Sequence, residues 1–157
     1  MVGNMDKLSI ANEMLQFDKK NRGFYDSLTD EERKKYSNYL MIRWGSGVQG
    51  GRDLQEYYLI ACNERLNKHF FSIGKHPKLQ WLCATTVSPG LDILGSAPRH
   101  QWISPKKKDP NDKNTHKKTL AELFPNMKND EIELLAKINT KKDVDEYLKK
   151  LGNEATK

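Results

Sequence analysis

Cys62, His69, His76 and Cys83 recur at intervals of seven residues, and thiolate and imidazole are the usual ligands of zinc. Closed zinc sites pair their ligands at short spacing, whereas here Gly74 and Pro77 interrupt the chain between the histidines. No metal centre is expected from the set. The cysteines lack CxxC spacing and fall on apolar helix faces, which predicts two buried free thiols rather than a disulfide. His69 reads as a boundary residue and His76 as a helix cap.

A second chemical pattern runs from Gly45 through Gly47 to Gly50, a GxGxxG. In dinucleotide folds those glycines follow a strand and open a helix within a βαβ unit, but here a helical pattern precedes them. Nor does a Lys-Ser/Thr follow, so nothing supports a loop that cradles ATP phosphates. No HExxH, nucleophile elbow or recognisable carboxylate constellation occurs. The sequence therefore assigns no catalytic, cofactor-binding or metal residue, and reads as a non-enzyme.

The elements around these residues are helical. Asp53 and Glu56 mark a helix start, and Leu54, Tyr58, Ala61, Cys62, Leu66, Phe70 and Ile73 continue at steps of three and four to Gly74. Pro77 suits the first turn of a second helix, on which Leu79, Leu82, Cys83, Thr86 and Val87 form a core-facing stripe. Trp81 projects away from that stripe. It is the candidate partner contact, since interfaces are enriched in such aromatics, although a helix covered on both sides within the chain would serve equally.

Upstream, residues 1–23 hold one loosely patterned helix over 6–20. Thr29 and Glu32 form a capping box for a helix carrying Tyr36, Tyr39, Leu40 and Trp44 and stopping at Gly45, before a flexible break over 45–51. Residues 89–105 lose helical periodicity among Gly90, Gly95, Pro98 and Pro105, leaving Trp102 and Ile103 as an apolar island. Residues 106–118 read as a basic polar linker. Three short helices follow within 119–157, the last capped by Thr140 and Asp143. The expected fold is all-α, with a helical hairpin-based domain over 24–105 and a small C-terminal helical unit.

The net charge of +6 is concentrated: residues 99–118 carry seven basic against two acidic side chains. Either this segment meets a partner bearing phosphates, or it is a solvated linker anchored by Trp102. Arg99, Trp102, Lys106, Lys107 and Lys108 are the candidate DNA contacts, combining cations for phosphates with a ring that can stack on a base. No run approaches the roughly 18 apolar residues of a membrane span, and the first 18 residues lack the core of a secretory signal. A cytoplasmic, non-membrane protein is expected.

Five stretches resemble a known family: YLMIRWGS at 39–46, NKHFF at 67–71, HPKLQWL at 76–82, RHQWI at 99–103 and MKNDEIELL at 127–135. They are similar to the small clamp-loader subunit of T4-like phages, most closely the short cyanophage versions, over about residues 24–103 and 119–152. The resemblance implies a subunit without ATPase machinery or cofactor. Such a subunit assembles with the clamp-loader ATPase subunits that open the sliding clamp and place it on primer–template DNA. It implies a helical part in the collar that holds the ATPases, and a smaller part near the gap where DNA enters. The chain departs from the T4 pattern in its shorter length and in an insertion-like loop over 88–97. A freestanding basic helical nucleic-acid-binding protein is the alternative reading.

Overall fold

The computed structural model describes residues 6–104 and 115–151. Among them are nine α-helices and no strand; a single isolated antiparallel bridge joins Val48 to His100. The chain divides into two compact units, Met1–Trp102 and Ile103–Lys157. Among the described residues no helix is long and apolar enough to cross a membrane.

In the first unit, α1 (Ile10–Asp18) is capped by the Ser9 hydroxyl, which accepts from the Asn12 amide at 3.3 Å. Met14 and Phe17 enter the core, so this loosely patterned helix belongs to the same unit as the elements after it. The capping box at Thr29 and Glu32 opens α2 (Asp30–Lys35), as expected. The helix does not run on to Gly45. Tyr36 takes extended backbone angles, and α3 (Asn38–Gly45) begins separately. Its first residue explains the break: Asn38 accepts from the Tyr36 hydroxyl at 2.9 Å and donates to the Pro77 carbonyl and Gln80 Oε1. These bonds tie the start of α3 to a helix some forty positions downstream.

The long helix expected from Asp53 to Ile73 is also shorter. α4 spans Arg52–Arg65, and Leu66 leaves helical geometry to bury its side chain, followed by a single 3-10 turn over Asn67–His69. Gln80 Nε2 donates to the Phe70 carbonyl at 3.0 Å, fixing that turn against the next helix. α5 (Pro77–Ala84) carries its proline in the first turn, where no N–H is missed. A one-turn α6 (Leu91–Leu94) lies between Gly90 and Gly95.

The core of this unit gathers Phe17, Met41, Ile42, Val48, Tyr58, Cys62, Leu66, Trp81 and Val87. Gly45 is required by that packing, because a Cβ there would lie 2.8 Å from the Phe17 ring. Its place in the GxGxxG thus reflects helix packing.

The second unit packs α7 (Thr115–Leu123), α8 (Asn129–Ile138) and α9 (Lys141–Lys150) around Leu120, Phe124, Met127, Ile132, Leu135 and Val144. Thr140 and Asp143 form the expected capping box. Lys117 pairs with Glu133 at 3.1 Å, so part of the stretch read as linker, from Thr115 to Lys118, is helical.

Candidate functional site

Arg99 and Trp102 are positioned by backbone pairing that the helical pattern does not announce. The Gln49 amide donates to the Arg99 carbonyl at 2.8 Å and the Gln101 amide donates to the Gly47 carbonyl at 3.0 Å. The segment expected to be a flexible break is thus fastened to the segment expected to be irregular. Extended backbone alternates its side chains, which sends His100 inward and leaves Arg99 exposed.

Trp102 is 42% exposed. One part of its ring packs on Trp44, centroids 5.8 Å apart, and the Arg43 guanidinium sits 5.3 Å from its centre. A ring held in this way loses little further freedom on stacking, and an exposed Arg99 three residues away can meet a phosphate. Lys106, Lys107 and Lys108 lie outside the described residues.

Behind this segment is a buried polar chain that sequence reasoning missed. His100 Nδ1 donates to the Trp44 carbonyl at 2.8 Å, since a carbonyl only accepts, and Nε2 is hydrogen-bonded to Asp18 Oδ2 at 2.8 Å. The Tyr58 hydroxyl donates to Asp18 Oδ1 at 2.6 Å and lies 3.1 Å from the Ser88 hydroxyl. Burial pushes the Tyr58 phenol well above its ordinary range, and its bond to the Asp18 carboxylate pushes it further. The edges of Phe17 and Tyr58 close on the imidazole at 5.7 and 5.5 Å.

Serine, histidine and aspartate together suggest nucleophilic catalysis, but the order of contacts does not perform it. The imidazole reaches the carboxylate and a carbonyl, while the serine touches a tyrosine, so no base takes the Ser88 proton. Asp18 and Ser88 have no exposure to meet a substrate. The arrangement anchors α1, α4 and the 99–102 segment to one another. The only sequence signal for it was a histidine in a stretch that otherwise lacks helical pattern.

Trp81 requires a correction. It is fully buried, its indole N–H donating to the Asn21 carbonyl at 2.9 Å and its ring packing on Phe24 and Tyr36. It is not available to a partner. α5 turns Gln80, Trp81 and Ala84 inward, and the stripe expected to face the core is divided: Val87 is buried in the core and half-buried Cys83 packs against it, while Leu79 is 43% exposed, Leu82 half-buried and Thr86 exposed. The physical reason is that Trp81 offers the largest apolar area together with an N–H that finds an acceptor only on the inner side.

The cysteines and histidines at sevenfold spacing are not brought together. Cys62 is buried against the Met41 and Ile42 carbonyls, Cys83 is half-buried, and His69 and His76 are exposed. Among the described residues no group of three or more metal-capable side chains occurs. No family model, curated protein or solved structure matches the chain.

Proposed function

We propose that this chain is a non-ATPase subunit of a phage DNA polymerase clamp loader, joining ATPase subunits to place the sliding clamp on primer–template DNA. The observation that carries the reading is the resemblance over 39–46, 67–71, 76–82, 99–103 and 127–135. Those stretches hold residues on which the packing depends: Met41 and Ile42 in the core, Gln80 and Trp81 on the inner face of α5, His100 in the polar chain, and Ile132 and Leu135 in the second unit. Arg99 and Trp102, with Lys106, Lys107 and Lys108, are the proposed DNA contacts.

The test is co-expression with the clamp-loader ATPase subunit of the same genome, followed by size-exclusion chromatography and ATPase assays. Co-elution is expected, with a faster ATPase when clamp and primer–template DNA are present. Failure to co-elute, or saturable ATP binding by the isolated chain, would refute the reading. Tight binding to DNA by the isolated chain would favour a freestanding nucleic-acid-binding protein.

A further inference from the structure

The outward face of α5 is apolar where an isolated surface helix would be polar. Leu79 and Leu82 form the wall shared by two adjoining depressions. One, of about 630 Å³, reaches Lys20, Arg22 and Arg65 and includes Cys83. The other, of about 500 Å³, reaches Lys75 and Lys78. No carboxylate lines either. Lys78 is engaged by Asp26 at 2.8 Å, and Arg65 donates to the Thr86 carbonyl. Lys20, Arg22 and Lys75 are exposed and form no ion pair among the described residues.

An apolar strip bordered on both sides by uncommitted cations selects its occupant by charge and shape together. We propose that this face is a docking groove for an acidic amphipathic helix of a partner protein. Leucine-like side chains at helical spacing seat on Leu79, Leu82 and the half-buried edge of Cys83, and flanking Asp and Glu meet Arg22, Lys20 and Lys75. A nucleic acid fits less well, because no Trp, Tyr or Phe lines either depression for a base to stack on, and a phosphate backbone leaves the leucines uncovered. A second copy of this chain fits less well too, because a twofold contact would set one cationic rim against its own copy. The inference does not depend on the clamp-loader reading: assembly with an ATPase through another face would leave it intact.

The experiment titrates the full chain against a fluorescent peptide of about sixteen residues, long enough for four helical turns. The peptide carries leucine at i, i+3, i+4 and i+7 with Glu and Asp on both flanks, and a counterpart replaces every acid by Lys. Saturable binding of the acidic peptide is expected, with the basic counterpart at least about tenfold weaker. Leu79→Asp and the pair Arg22→Glu, Lys75→Glu should each weaken the acidic peptide by at least about tenfold, with thermal unfolding unchanged. Should Leu79→Asp fail to fold, Leu79→Ser carries the same test. Absence of saturable binding, equal binding of both peptides, or binding indifferent to these substitutions would overturn the proposal. So would displacement of the peptide by a single-stranded oligonucleotide whose own binding requires Leu79.

Discussion

His100 Nε2 lies 2.8 Å from Asp18 Oδ2, although 82 positions separate the two residues in sequence. The contact joins the end of α1 to the segment that presents Arg99 and Trp102. Both side chains are almost wholly enclosed, so each depends on the other to satisfy a polar group that water cannot reach. Removing the imidazole leaves Asp18 Oδ2 without that partner while Oδ1 keeps the Tyr58 hydroxyl, and a buried polar atom deprived of its hydrogen bond costs about 1–3 kcal/mol. His100→Ala should lower stability by that amount in urea unfolding. Hydrogen exchange at the Gln49 and Gln101 amides should quicken at the same time. A loss below about 1 kcal/mol would mean that the pair contributes little to holding the segment.

Glu13 makes stability pH-dependent. It is 3% exposed, and burial, with the Asp6 charge adding a smaller push, moves its carboxyl from 4.5 to about 7. A raised folded value means that the native state holds the proton more tightly than the unfolded chain does. The contribution is complete below about pH 4.5, and it is lost as pH rises toward 7. Each unit of difference corresponds to about 1.4 kcal/mol, an upper bound here because neighbouring groups rearrange around the charged carboxylate. Glu13→Gln should therefore raise stability at pH 8 by about 1–2 kcal/mol relative to the parent, with little gain at pH 4. Denaturant midpoints measured across that range decide the matter, and parallel curves would rule the effect out.

Trp81 and Leu79 are neighbours on α5 with opposite environments. Trp81→Ala empties a core site and abandons the Asn21 carbonyl, at an expected cost of about 3–5 kcal/mol. Leu79→Ala should stay within about 1 kcal/mol of the parent, as partly exposed positions usually do. Circular-dichroism melts of the two variants compare them directly. The reverse ranking would restore the outward assignment of Trp81.

Gly45 admits the Phe17 ring, and the clash that a Cβ would create is specific to that ring. Gly45→Ala should destabilise by about 1–3 kcal/mol, the usual cost of overpacking. Adding Phe17→Leu should recover part of the loss, so that the double variant is more stable than the sum of the single ones. Additive effects would show that the glycine is there for some other reason.

The proposed DNA contacts separate by their salt dependence. Replacing Lys106, Lys107 and Lys108 by alanine should flatten the log–log salt slope of primer–template binding by up to about 3 units, at roughly 0.9 per phosphate contact. Trp102→Ala should cost about 1–3 kcal/mol of single-strand affinity with little change in slope. Fluorescence titrations of the proposed assembly at several salt concentrations measure both. An unchanged slope in the triple variant would leave the lysines as linker residues.

Signals that act within a few residues were legible in the sequence. The boxes at Thr29–Glu32 and Thr140–Asp143 and the proline opening α5 all depend on backbone groups one turn away, and each is where the residue types place it. The all-α class follows from the same local patterns. The helix over 53–73 was overextended because its apolar spacing continues past Arg65, whereas burial of Leu66 and the bond from Gln80 to the Phe70 carbonyl turn the chain.

The sidedness of α5 and the anchoring of the 99–102 segment were decided by tertiary structure alone. Leu79, Leu82 and Cys83 form one apolar stripe of α5, and Trp81 with Ala84 forms another. Periodicity cannot choose between two apolar faces of one helix. The choice belongs to Asn21, Phe24 and Tyr36, which supply an acceptor and a ring cage on one side only. Likewise, nothing near His100 in sequence announces Asp18 or Trp44. A buried imidazole takes whichever partners the packed helices bring within hydrogen-bond reach, and that proximity exists only once the chain has folded.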